Sequence, residues 1–163
     1  IACTLIIPFY VASPFSFLHF LVFKGGSYDY LLLLGFFLLV WANDSGAYLI
    51  GVRFGKHRLF PRISPRKSWE GAVGGFVFTL AIAFVLSLFI EQLSWGHWLA
   101  IGVLVSVMGT FGDLVESMLK RSVNVKDSGS LLPGHGGVLD RFDAVVFAAP
   151  LVCGYLILIR YMF

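Results

Sequence analysis

The chain has 163 residues, of which 58% are hydrophobic and 13% charged, with a net charge of +3 and a mean hydropathy of +0.88. Soluble domains carry about 25% charged residues, so this composition excludes an ordinary soluble fold and points to an all-α integral membrane protein. Nucleic acid is not expected as a partner, and the distribution of charge along the chain says more than its sum.

Five segments come near the ~20 apolar residues needed to cross ~30 Å of hydrocarbon. They are Ile1–Phe23, Tyr30–Ile50, Gly71–Ile90, Trp95–Gly112 and Ala144–Phe163. The chain opens at Ile1 inside an apolar run, which reads as a fragment of a larger polytopic protein whose N-terminal helices precede it. Pro8, Ser13 and Pro14 interrupt the first segment and predict either a kink or a span followed by a re-entrant piece. Cys3 and Cys153 lie in apolar stretches and read as small buried hydrophobes.

Asn43 and Asp44 break the second segment after LLLLGFFLLVWA. An ionised aspartate facing lipid is costly, so Asp44 is expected at a helix interface or a wet cavity. An interhelical hydrogen-bonding pair is the alternative reading of these two residues.

The link at 51–70 concentrates Arg53, Lys56, Arg58, Arg62, Arg66 and Lys67 against the single acid Glu70. By the positive-inside rule this basic loop faces the cytoplasm. Five alternating crossings then bring the polar segment at 113–143 to the same side. Within the loop, Ser64 and Ser68 offer hydroxyls and Arg66 and Lys67 offer phosphate contacts, while Glu70 organises those cations or the start of the next helix. The remaining cations set topology or hold anionic headgroups.

Asp113, Glu116 and Lys120 stand at spacings of three and four, so they share one face as the fourth segment leaves the membrane, with Ser117 one turn after Asp113. Asp140 and Asp143 directly precede the last apolar segment, where acids suit a helix N-terminus. Joined by Asp113 from another helix, they could also supply the oxygen ligands of Mg²⁺, with phosphate oxygens and waters completing the shell. Between them, PGHGG places glycines around His135, and such a backbone can approach and cradle phosphate through its N–H groups. Lys120, Arg121, Lys126 and Arg141 can neutralise phosphates, and His135 is assigned to binding or positioning.

The stretch SMLKRSVNVKDSGSLLPGHGGVLDRFD, Ser117 to Asp143, resembles the signature of the phosphatidate cytidylyltransferases. That signature is Ser-x-x-Lys-Arg, four residues, Lys-Asp, a short Gly-bearing turn, His-Gly-Gly and Asp-Arg-x-Asp. It falls here on Ser117, Lys120, Arg121, Lys126, Asp127, Gly129, His135, Gly136, Gly137, Asp140, Arg141 and Asp143. Two further patches, WANDSGAY (Trp41–Tyr48) and Ile63–Gly71, are similar to other segments of the same family. The resemblance runs from about Leu31 to the C-terminus and implies a single transmembrane catalytic core over 1–163, with its polar site on the cytosolic side.

The resemblance further implies transfer of a cytidylyl group from CTP to phosphatidate, giving CDP-diacylglycerol and pyrophosphate. Together with the reading of the residues above, it gives catalysis to Asp113, Lys120, Asp140 and Asp143, and metal binding to Asp113, Asp140 and Asp143. Substrate contacts fall to Asp44, Ser64, Lys67, Ser68, Glu70, Arg121, Lys126, Asp127, His135, Gly136, Gly137 and Arg141. The expected ions are Mg²⁺ and a second, monovalent cation such as K⁺. A homodimer packed through transmembrane helices, with Gly74 and Gly75 as small residues, and a bacterial inner membrane as location complete the expectation.

A CDP-alcohol phosphotransferase would show Asp-Gly-x-x-Ala-Arg followed by a Gly and two spaced aspartates, a run this chain lacks. A CTP-dependent polyprenol or phytol kinase and a non-enzymatic transporter using Asp44 and Asp113 stand as alternatives.

Overall fold

The computed structural model describes residues 2–24, 27–28, 30–122, 125 and 139–162; the side chains of 2–9, 11, 23–24, 27, 139, 141 and 160–162 are not described. Five helices follow one another along the chain: α1 (Ala2–Val22), α2 (Leu31–Phe54), α3 (Trp69–Phe89), α4 (Trp95–Ser122) and α5 (Leu139–Met162). Among the described residues, α2, α3, α4 and the Phe142–Ile159 portion of α5 are each long and apolar enough to cross a membrane, and Ala12–Val22 forms a shorter apolar helix. Large side chains such as Leu49, Val73, Val77, Leu88, Phe89 and Leu158 are exposed. Such continuous apolar exposure suits hydrocarbon as the surrounding solvent rather than water. The chain is a helical membrane protein.

Several boundaries differ from those read off the sequence, for local reasons. α1 runs without a break through Pro8, Ser13 and Pro14, so it is one helix and not a span plus a re-entrant piece. The second segment extends past Ile50 to Phe54, where Gly55 closes it with its N–H bonded to Gly51 O at 3.0 Å. The basic loop holds an antiparallel hairpin of β3 (Arg58–Phe60) and β4 (Ser64–Ser68), with Arg58 opposite Ser68 and Phe60 opposite Ser64. A second short pair, β1 (Phe23–Lys24) and β2 (Ser27–Tyr28), joins α1 to α2.

The largest departure concerns α4. It does not stop at Gly112 but continues to Ser122, which mounts Asp113, Glu116, Ser117, Lys120 and Arg121 on a rigid helix. α5 likewise starts at Leu139, ahead of Ala144, and carries Asp140 and Asp143 in its first turns.

α2 packs chiefly on α3, and α4 lies between α3 and α5. The α2–α3 seam is close because its residues are small: a Cβ on Gly75 would stand 2.7 Å from the Asn43 carbonyl oxygen, and one on Gly46 2.6 Å from Phe78 Cβ. Gly74 and Gly75, read above as candidates for a contact between copies, thus serve packing within the chain. The core is built from Phe36, Leu39, Trp98, Val105, Val145 and Val152. Trp98 fills it completely, and its indole N–H donates to Ile90 O at 3.2 Å, so the buried polar atom is satisfied.

Candidate active site

The described parts of both polar segments meet at one end of the bundle. The hairpin is fixed against α3 by two devices. Ser68 caps α3, its Oγ accepting from Gly71 N–H at 3.1 Å while the residue itself is buried. Glu70 accepts from His57 N–H at 3.1 and 3.2 Å and pairs with His57 Nδ1 at 2.6 Å, closing the base of the hairpin. β4 is thereby held so that Lys67 reaches across to α4 and forms an ion pair with Asp113.

Asp113 also accepts from Ser117 Oγ at 3.3 Å, one turn along α4. One turn further, Lys120 Nζ lies 2.6 Å from Asp140 on α5 and 3.4 Å from Glu116. Glu116 is buried, its side chain 3% exposed, and it is in electrostatic contact with Asp140 and Asp143. Asp143 accepts from Ala144 N–H at 2.6 Å and also feels Asp113 and Asp44. Among the described residues, these carboxylates outnumber the two lysines paired with them.

Two cavities open beside this network. One, of about 300 Å³, lies between α2, α3, α4 and β4, and is lined by Asp44, Arg66, Lys67, Ser68, Thr110 and Asp113. The other, of about 320 Å³, lies between β4 and the end of α4, and is lined by Ser64, Arg66, Ser117, Lys120 and Arg121. Arg66 belongs to both.

The two readings of Asn43 and Asp44 divide between them. Asn43 is buried and accepts from Ser106 Oγ of α4 at 2.7 Å, the interhelical bond. Asp44, one residue on and about 100° around the helix, lines the cavity of about 300 Å³, whose wall Asn43 shares. Asp44, Ser64, Lys67, Ser68, Asp113, Lys120, Arg121, Asp140 and Asp143 are brought to this one end of the bundle. Glu70 is not among them: with His57 and Arg58 it lines a separate apolar groove on the outer side of α2 and α3. Lys126, Asp127, His135, Gly136 and Gly137 lie outside the described residues; Arg141 is placed on α5 without a described side chain. Glu116, placed by its spacing on the face of Asp113 and Lys120 but given no role from sequence, is the buried carboxylate of this network.

Among the described residues, no three His, Cys, Asp or Glu side chains form a metal cage of their own. Mg²⁺ does not require one, since it is usually held by one or two carboxylates with substrate phosphates and waters. Asp113 on α4 and Asp143 on α5 lie close enough to interact, and two such carboxylates on neighbouring helices fit that chemistry.

Backbone proximity makes this geometry sensitive to volume. A Cβ on Gly112 would stand 2.6 Å from the Asp143 carbonyl oxygen, so Gly112→Ala forces α5 away from α4. The expected cost is about 1–3 kcal/mol of stability, together with lowered activity. Gly96→Ala, where a Cβ meets nothing within 4 Å, is the control. Equal thermal melting of the two variants in detergent would show that the helices are not held this closely.

The helical bundle thus gathers carboxylates and cations around two cavities at one end, a setting suited to charged, phosphate-bearing ligands. The profile of the cytidylyltransferase family matches residues 1–159. The chain is 44% identical to the phosphatidate cytidylyltransferase of Staphylococcus saprophyticus over 144 residues, which is 88% of this chain and 54% of that protein. It is 44% identical to the Staphylococcus haemolyticus protein of the same name over 138 residues, 84% of this chain and 52% of that protein. The Staphylococcus aureus relative is 44% identical over 145 residues. The chain belongs to the cytidylyltransferase family, and it spans about half the length of the curated relatives it matches.

Proposed function

We propose that the protein transfers the cytidylyl group of CTP to phosphatidate, releasing pyrophosphate and forming CDP-diacylglycerol, with its site facing the cytoplasm. The observation that carries this reading is a pair of cavities that share Arg66, one bearing Asp44, Asp113 and Lys67 and the other bearing Lys120 and Arg121, in a chain whose relatives bear that name. The substrates are a soluble nucleotide and an amphiphile, and a polar site at the end of a lipid-facing bundle meets both. A bacterial inner membrane is the proposed location.

In this reaction an oxygen of the lipid phosphate forms a bond to the α-phosphorus of CTP. The bond from that phosphorus to the β-phosphate bridging oxygen breaks, and its electron pair leaves with pyrophosphate. The attacking oxygen is already anionic at neutral pH, so no general base is needed. Transfers of this kind depend on positioning and charge neutralisation. Lys67 and Lys120 are pre-placed by their ion pairs with Asp113 and Asp140; Arg66 and Arg121 add charge at the cavity walls. Asp113, Asp140 and Asp143 would hold Mg²⁺, which supplies neutralisation of phosphate charge when bound; a monovalent cation such as K⁺ would sit beside it.

The test is label transfer. Full-length protein in nanodiscs, given phosphatidate, Mg²⁺ and CTP labelled at the α-phosphate, is expected to move label into the organic phase, and EDTA is expected to stop it. A folded, lipid-bound protein that moves no label would sink this reading. Label arriving only from the γ-phosphate of CTP on a lipid alcohol would replace it with lipid kinase activity.

A further inference from the structure

The hairpin that carries Lys67 is too slight to hold its own shape. β3 has three residues and β4 five, and their ladder is irregular between Arg58 and Phe60. An isolated two-stranded pair is at best marginally stable in water, and a slip of one residue turns every side chain of a strand to its other face. Lys67 would then turn away from Asp113. The register therefore has to be fixed from outside the ladder.

His57, just ahead of β3, and Trp69 and Glu70, just after β4, do this at the open end of the hairpin. The backbone of His57 is tied through both its polar groups. Its N–H donates to the Glu70 carboxylate at 3.1 and 3.2 Å, and its carbonyl accepts from Trp69 N–H at 3.0 Å. The ring adds a tie from Nδ1 to Glu70 at 2.6 Å. Glu70 stands in the first turn of α3, directly behind the Ser68 cap, so the latch is anchored on a helix. Lys67 is three residues away, and its side chain leaves this anchored segment to pair with Asp113. Glu70 and His57 line the groove on the outer side of α2 and α3, whereas Lys67 and Asp113 line the cavity of about 300 Å³.

We propose that Glu70 and His57 are positioning residues for the transfer: together they lock the register of the hairpin, and with it the place of the Lys67 ammonium beside Asp113. The inference rests on the cytidylyl-transfer reading, and it takes Glu70 out of contact with the substrates. It also ranks the two residues. The backbone N–H of residue 57 survives replacement of the imidazole, so Glu70 carries most of the latch and the His57 ring adds to it.

The test is a double-mutant cycle on label transfer by the full-length protein in nanodiscs. Glu70→Ala is expected to lower kcat between about tenfold and 100-fold, as a misplacement of about 1 Å does. Glu70→Gln, whose side-chain oxygen still accepts from His57 N–H, should stay within about threefold of the native rate, and His57→Ala should lose about threefold. In a Lys67→Met background Glu70→Ala should cost less than about twofold more, because the group it positions is already gone. Losses that multiply instead would mean that Glu70 acts on a substrate directly, and that overturns the proposal. So does a native rate in Glu70→Ala or in Lys67→Met. A measurement independent of turnover separates this idea from the transferase reading. Spin labels on Arg62→Cys, in the hairpin turn, and Gly96→Cys, near the start of α4, lie at exposed positions. Their distance distribution is expected to be narrow in the native background and broad with Glu70→Ala. Broadening in a protein that moves no label keeps the latch and removes the transferase reading. An equally narrow distribution in both removes the latch, whatever the activity.

Discussion

Asp113→Asn in the full-length protein is expected to lower cytidylyl transfer at least about 100-fold, the order found when one preorganised charge-stabilising group is removed from a phosphate- or oxyanion-handling site. The substitution keeps the shape of the side chain and its ability to accept from Ser117 Oγ, which lies 3.3 Å away. What it removes is the charge that positions Lys67 and that would hold Mg²⁺. The fold has little at stake here. The Lys67 and Asp113 side chains are 28% and 33% exposed, and an ion pair this open contributes at most about 1 kcal/mol. Activity and melting temperature should therefore separate: a large loss in the first with a small change in the second. Asp143→Asn should behave alike, and in both variants the Mg²⁺ concentration needed for half-maximal rate should rise if any activity is left. A folded Asp113→Asn enzyme working at the normal rate would remove the metal assignment.

The spans were legible in the sequence because hydropathy is a one-dimensional property: α2, α3, α4 and α5 each contain the expected apolar segment. Their ends were not, because a membrane-spanning helix need not stop where the hydrocarbon does. α4 goes on to Ser122 because its backbone hydrogen bonds continue and Asp113, Glu116 and Lys120 recur on one helical face. The hairpin at Arg58–Ser68 was hidden for another reason. Its strands are short and charged, with no alternation of apolar residues to announce them, and they are held by the Ser68 cap and the Glu70–His57 pair. Charge spacing correctly brought Asp113 and Lys120 to one face and placed Asp140 and Asp143 at a helix start. Pairing across elements was beyond it: Lys67 with Asp113 and Lys120 with Asp140 join residues far apart in sequence. The burial of Glu116 against Lys120 and Asp140 is likewise visible only in the fold.

Lys120→Met is the substitution expected to cost most in stability. The methionine fills much of the lysine's volume, so packing is nearly kept and the loss is electrostatic. In the native protein the ammonium stands between Asp140 and Glu116, whose side chains are 15% and 3% exposed. Without it, two nearby carboxylates remain in a poorly solvated place, with Asp143 adding to their repulsion. Breaking a buried ion pair from one side destabilises by about 3–5 kcal/mol, mainly through the charge left behind. Removing that orphaned charge should reverse much of the damage. Lys120→Met with Glu116→Gln is accordingly expected to melt close to the native protein, giving a large coupling energy in a double-mutant cycle. Activity should follow a different course. The double variant restores the native charge balance of this group but returns no cation to the cavity lined by Arg66 and Arg121, so transfer should stay low in both. A Lys120→Met protein as stable as the native one would mean that Glu116 and Asp140 do not depend on the lysine. Recovery of activity in the double variant would mean that Lys120 supports the fold and does not touch the nucleotide's phosphates.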